Sequence, residues 1–514
     1  MNMKLYISAI LGVSILSACT KNFVAENTNP DAVSTPTPEY VFTKALYDGM
    51  GNASGTYGGS TMYLLQGAMQ YTTSYNDVAG FGSKYVAAQT QQTNASFNAA
   101  YPDEINELGI VIKAVKSNPA KINLLAAARI WRVFCFSRIT DLYGDVPYFQ
   151  AGLGYDSSVY KPAYDPQQSI YMNMLSELDA AAQSFDPSKT TFGAADLIYG
   201  GNIAQWKKFT YSLMLRLAMR LTKVDIASAQ TWATKAIAGG VITADADIAK
   251  MPYLSSGQVI NQNPMAYSLW NSDYIAQDGV SNAEGGKYQD VWINYLKSTN
   301  DPRLPIISIV YNNGVADTSV GIQQGMPANI QYNKPANFGT YSEPNPKTVL
   351  QLGSSQLVFS AAESYFLLTE AALRGWYNGS TADALYTLGV QAALRNWSII
   401  AGAAGTINSA AINNYVAANT LNLAGTFDQQ MQQIYTQFWV SIFPNATEAY
   451  SSYRRTGYPA LVGNNYPGNA TGGKIFRRCL YPASEQTLNA DAYKAAVARQ
   501  GADDLMTHIW WDKQ

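Results

Sequence analysis

The stretch LVFSAAESYFLLTEAALRG, Leu357–Gly375, followed by Thr381 and the run Ala382–Trp397, decides the fold. The segment from Leu357 to Arg374 reads as a helix, Gly375 stops it, and Thr381 supplies the side-chain oxygen for a second helix start. Such a helical hairpin buries its apolar face by stacking on neighbouring pairs, as tetratricopeptide units do.

Three further pairs follow from the same reading. Asn118-Pro119 opens a helical pattern through Arg129, Trp131 and Phe134 to about Asp141; Asp165-Pro166 caps its partner, with Ile170, Met174, Leu178 and Ala181 on one stripe. Trp206, Phe209, Leu213 and Leu217 form the next stripe, partnered by Ala229–Ala238 and stopped by Gly239-Gly240. Phe427–Phe443 carries Met431, Ile434, Phe438 and Ile442 and is followed by Ala446–Arg455. Thr37 and Pro38 fit the N-cap and first position of an earlier helix. No Trp-Leu-Gly-Tyr consensus recurs at a fixed period, so a regular solenoid is not expected. The predicted class is mainly α: four tetratricopeptide-like helix pairs forming a scaffold, with long irregular loops and little β structure.

The chain opens with Lys4 and an apolar run from Leu5 to Leu16, closed by Leu16-Ser17-Ala18-Cys19. About 20 apolar residues are needed to span a bilayer core, so this shorter run reads as a lipoprotein signal peptide, residues 1–18. Cys19 then becomes the acylated first residue, held in membrane lipid at roughly 0.8 kcal/mol per buried methylene. Residues 19–37, polar and Pro-punctuated, form a tether, and residues 38–514 form a single domain.

Composition removes several function classes. Charged residues make up only 14% against 47% hydrophobic, which argues for a packed body rather than disorder. With 34 Lys and Arg against 36 Asp and Glu and no basic cluster, nucleic acid is not an expected partner. The lone His508 cannot build a multi-His metal site or serve a catalytic triad, and no cofactor is expected. Beyond Cys19, Cys135 and Cys479 read as two buried thiols rather than a disulfide.

Tyrosine is the unusual residue: 36 of them outnumber Phe and Trp together, and the rings interleave with Asn, Asp and Gly in three long stretches, 51–101, 251–301 and 311–355. Aromatic faces beside amides and carboxylates suit a sugar ring, whose CH groups pack on the ring while its hydroxyls need donors and acceptors. The candidate ligand-binding residues are Tyr75, Asn76, Asp77, Tyr85, Trp270 and Tyr274, with Tyr332, Asn333 and Tyr341 next.

Several separated motifs resemble the SusD/RagB lipoproteins. They are Asn29-Pro30-Asp31; Asp141-Leu142-Tyr143-Gly144-Asp145-Val146-Pro147-Tyr148; the helix Ala361–Ala372; Tyr453-Arg454-Arg455-Thr456-Gly457-Tyr458-Pro459; and Arg477-Arg478-Cys479-Leu480-Tyr481-Pro482 with Glu485 and Asn489. The resemblance spans nearly the whole mature chain in the expected order. It implies a helical scaffold, loop-built capture of an oligosaccharide, a TonB-dependent SusC-like outer-membrane transporter as partner, and no catalysis. Read from the residues alone, Asp141 and Asp145 cap or pair with arginine rather than bind metal, and Glu363 and Glu370, seven apart on one helical face, read as a solvated or salt-bridged face, with Arg454-Arg455 and Arg477-Arg478 as partners for such carboxylates. A two-carboxylate glycoside hydrolase, which needs no histidine, and a surface adhesin or peptide-binding lipoprotein are the alternative readings.

Overall fold

The computed structural model describes residues 36–51, 57–76, 81–85, 90–271, 286–312, 315–331 and 333–513. The signal peptide, Cys19 and most of the tether lie outside them. The fold is mainly helical. The main helices are α1 (Pro38–Gly49), α2 (Asn106–Val115), α3 (Ile122–Tyr143), α4 (Gln167–Ser184), α5 (Ile203–Arg220), α6 (Ile226–Gly239), α7 (Ala361–Leu373), α8 (Ala382–Ala401), α9 (Phe427–Ile442), α10 (Ala446–Thr456) and α11 (Ala490–Gln500). The four expected pairs are α3 with α4, α5 with α6, α7 with α8, and α9 with α10. No helix among the described residues is long and apolar enough to cross a membrane.

Local boundaries depart from the sequence reading where tertiary partners compete. Residues Gln356–Phe359 are not helical: they form strand β7, antiparallel to β2 (Ala249–Met251), and α7 begins only after Ser360, whose hydroxyl caps the Glu363 N–H. Gln356 and Leu357 are half-buried while Val358 and Phe359 are both buried, so the strand shows no alternation and its apolar run merges in sequence with the helix that follows. Asn118 caps a short turn at Pro119–Lys121 rather than α3 itself. Asp165 does not cap α4, because its carboxylate accepts from the Tyr148 and Phe149 N–H groups; Asp145 caps it instead, accepting from Gln167 N at 2.8 Å. The long stretches also contain helices: Thr90–Ala100, Pro264–Asn271 and Asp290–Ser298 lie within them. Trp292, Ile293 and Leu296 give the last of these a buried face.

Arginines cross-link the helix pairs through the core. Arg216 of α5 holds Glu363 of α7 with two hydrogen bonds, at 2.5 and 2.7 Å. Arg220, one turn later, bridges Asp141 of α3 and Glu448 of α10. Arg455 of α10 grips Glu370 of α7. All these arginines are buried, and a buried ion left without its partner costs about 3–5 kcal/mol, so the pairs fix one relative placement of the scaffold. Asp145 pairs with Arg499 as well as capping α4, and Arg477 and Arg478 meet Asp512 and Asp503. Arg454 differs: it donates to the backbone carbonyls of Asp141 and Arg477 rather than to a carboxylate.

The Asp141–Tyr148 motif is where the C-terminus docks. Gly144 ends α3 at φ +82°, and a Cβ there would lie 1.8 Å from Oε1 of Gln500. That oxygen accepts from Asp145 N, while the Gln500 amide donates to Tyr143 O, so α11 closes over the turn. Cys135 and Cys479 are both buried and free.

Candidate functional site

The three long stretches converge on one short strand, although they are far apart in sequence. β1 (Thr72–Thr73) pairs antiparallel with β3 (Lys287–Tyr288), in the register Thr72 to Tyr288 and Thr73 to Lys287. Tyr288 N then donates to Ser342 O at 2.8 Å, and Met326 N donates to Tyr288 O at 2.8 Å. One residue of the second stretch is therefore tied to the first and, on both sides, to the third. A small sheet of β4 (Ser308–Asn312) between β5 (Val315–Asp317) and β6 (Glu343–Pro344) stiffens the third. Gln323 adds a buried tie, accepting from Ser308 and Ser342 hydroxyls at 2.6 and 2.8 Å.

The last helix pair anchors this platform. Tyr71, immediately before β1, stacks on Trp439 of α9 with ring centres 5.3 Å apart, and its hydroxyl donates to Trp439 O. Trp292 meets both rings edge-on, at 4.9 and 4.8 Å. Aromatic pairs contribute about 0.5–1.5 kcal/mol beyond area burial, so the cluster holds the platform at a set position on the scaffold.

A separate apolar cluster of Tyr75, Met326, Phe338 and Tyr341 lies on the platform. Tyr75 meets Phe338 edge-to-face at 5.2 Å, while the ammonium groups of Lys287 and Lys334 lie 4.7 and 5.3 Å from the Phe338 ring centre. Beneath it, Lys287 pairs with Glu343, both buried. Burial pushes the Lys287 ammonium below its usual range, against the opposing pull of Glu343.

Of the six residues read from sequence, Tyr75 joins the second-choice stretch directly through Phe338 and Tyr341. Its ring is 7% exposed, and the adjoining Asn76 is half-buried, its carbonyl accepting from Lys84 Nζ at 3.1 Å. Tyr85 is only 1% exposed and packs toward Phe476, so it supports the platform from behind. Asp77 and Tyr274 lie outside the described residues, as does the side chain of Trp270, whose backbone closes the helix Pro264–Asn271. Tyr332 is likewise outside, whereas Asn333 and Lys334 are exposed.

A fourth segment was missed. Ala470 N donates to Tyr85 O at 2.7 Å, Gln70 donates to Val462 O, the Asn464 amide donates to Ser83 O, and Tyr466 lies under Lys84. Its sequence, Gly463-Asn464-Asn465-Tyr466-Pro467-Gly468-Asn469, carries the same mixture of Tyr, Asn and Gly as the other three and could have been found by it. Among the described residues no group of three or more His, Cys, Asp or Glu could hold a metal ion.

Fold and platform define a helical-scaffold protein with a loop-built face, and comparison with known proteins places it. A SusD-like family model, described as starch-binding and associating with the outer membrane, matches residues 30–482, and the chain belongs to that family. A solved chitin-binding protein matches at TM-score 0.81 and 28% identity, covering 93% of this chain and 100% of its own. A Bacteroidetes SusD-like protein matches at 0.81 and 25%, with the same coverage. A chitin-binding SusD homologue from Flavobacterium johnsoniae matches at 0.73 and 25%, covering 93% and 99%. No curated protein matches this chain.

Proposed function

We propose that this protein captures oligosaccharides at the outer membrane, anchored through acylated Cys19, and passes them to a TonB-dependent, SusC-like transporter without chemically altering them. The observation that carries the reading is the convergence of three Tyr- and Asn-rich segments on the strand pair at Thr72 and Tyr288, with a fourth tied alongside through Gln70, Ser83 and Tyr85. Rings beside short amides on a rigid support suit sugar CH faces and hydroxyls, and among the described residues Tyr75 and Tyr341 keep an open edge while Asn333 is exposed. Two relatives at 25–28% identity are described as chitin-binding, which makes chito-oligosaccharides the first ligands to test.

The hydrolase alternative loses its best carboxylates. Glu363 and Glu370 are both buried and held by Arg216 and Arg455, away from solvent where a glycosidic bond would have to lie. Calorimetric titration of the mature chain with chito- and malto-oligosaccharides tests the reading, together with chromatography of the sugar afterwards. Binding without turnover is expected; turnover, or no binding to any oligosaccharide, overturns it. Co-purification from mild detergent tests the transporter partnership, which fails if the protein repeatedly emerges alone while the transporter is expressed.

A further inference from the structure

On the scaffold, sharing none of its lining residues with the platform just described, a groove of about 880 Å³ opens between α2, α3, α4 and the connector after Tyr148. Among the described residues its lining carries the cations Lys113, Lys116, Arg129 and Arg132 and one carboxylate, Glu177, in a chain whose net charge is -2. Glu177 is engaged by Arg129 at 2.7 Å. Arg132 and Lys116 have no carboxylate partner among the described residues.

The groups in the groove are held in fixed orientations. The Arg132 guanidinium lies over the rings of Phe136 and Tyr148, at 4.6 and 5.0 Å, and donates to Tyr148 O at 3.1 Å. The Asp165 carboxylate accepts from the backbone N–H of both Tyr148 and Phe149, which sets the Phe149 ring edge-to-face on Tyr148 at 5.0 Å with half its surface in solvent. The Tyr148 hydroxyl donates to Asn173 Oδ1 at 2.8 Å, leaving the Asn173 NH2 directed away from that contact.

We propose that this groove is a second saccharide site, selective for sugars bearing a carboxylate. The half-exposed Phe149 ring, the Arg132 guanidinium over the adjoining Tyr148 ring with no carboxylate partner among the described residues, and the Asn173 amide donor match the CH face, the carboxylate and a hydroxyl of a uronic acid unit. Guanidinium offers a planar fork that fits a carboxylate with two parallel hydrogen bonds. Because every one of these groups is already fixed by the protein, little ordering cost remains on binding. The site is independent of the loop platform.

The test is calorimetric titration of the mature, full-length protein with trigalacturonate, with maltotriose as a neutral sugar of equal length and with inorganic phosphate. Trigalacturonate should bind, more weakly as salt is raised, while maltotriose produces no heat that depends on Arg132. Arg132→Gln should weaken trigalacturonate binding about tenfold or more, Arg132→Lys less, and Phe149→Ala severalfold. Should Arg132→Gln fail to fold by thermal melting, Phe149→Ala and Asn173→Ala, at partly exposed positions, carry the test. Failure of trigalacturonate to bind, equal response to maltotriose, or unchanged affinity in these variants overturns the proposal. Phosphate competing as strongly as the sugar also overturns it, and marks the groove as a simple anion or headgroup site.

Discussion

Arg455 and Glu370 form a two-pronged ion pair, at 3.0 and 2.7 Å, with both side chains out of solvent and the Tyr435 hydroxyl donating to the same carboxylate. Burial pushes the Glu370 carboxyl up, but the charge and hydrogen bonds of Arg455 outweigh it and hold the group down at about 2. A depressed value means stability present above the ordinary 4.5 and lost as pH falls toward 2. Thermal melting should therefore show the parent losing stability between those values. Glu370→Gln strands a buried guanidinium and should cost about 3–5 kcal/mol at neutral pH, whereas replacing both partners by apolar residues should cost less.

Glu104 has the opposite sign. Burial raises its carboxyl to about 8, and Arg138 only partly offsets this. The group is protonated when folded at neutral pH, so its contribution is complete below the ordinary value of 4.5 and declines as pH rises through about 8. Glu104→Gln should remove that decline, raising stability at pH 9 by on the order of 3 kcal/mol relative to the parent while changing little at pH 4. Parallel pH–stability curves for the two proteins would refute the assignment.

At the platform, Tyr75 and Tyr85 should separate binding from folding. Tyr75→Ala, at the edge of the small cluster, is expected to weaken oligosaccharide binding about tenfold with an unchanged far-ultraviolet circular dichroism spectrum. Tyr85→Ala, in a site that is 1% exposed, should lower stability by about 3–5 kcal/mol, as large aromatic truncations do. Trp270→Ala is expected to behave as Tyr75→Ala does.

The anchor is tested separately. Cys19→Ala should release the protein from membranes in a detergent-partition assay, since the apolar run before it is too short to span a bilayer. Retention at the membrane without Cys19 would refute acylation as the tether.

The helix pairs were legible because their signal is local. Apolar spacing, Gly375 and Gly239-Gly240 as stops, and Thr381 as a fresh start all act within a few turns of chain. The convergence of loops was not legible. The ring-and-amide composition of 51–101, 251–301 and 311–355 singles them out as candidate ligand-binding stretches, but the two-residue strands that join them are too short to carry a period. The segment around Tyr466 lies beyond the last helix pair, and its contacts with Gln70, Ser83, Lys84 and Tyr85 bring it to the platform.

By itself, then, the sequence determined the four helix pairs, whereas the helices inside the long stretches, such as Asp290–Ser298, the strand Gln356–Phe359 and the burial of Glu363 and Glu370 depended on tertiary partners. Only the tertiary structure decided who pairs with whom. Asp145, not Asp165, caps α4, and Arg454 serves backbone carbonyls while Arg455 beside it serves Glu370. It also decided that Tyr85 is buried while Phe149 stands half in solvent. The reason is physical: propensity and periodicity act over a few residues, whereas burial and the satisfaction of a buried charge depend on groups brought together from hundreds of residues away.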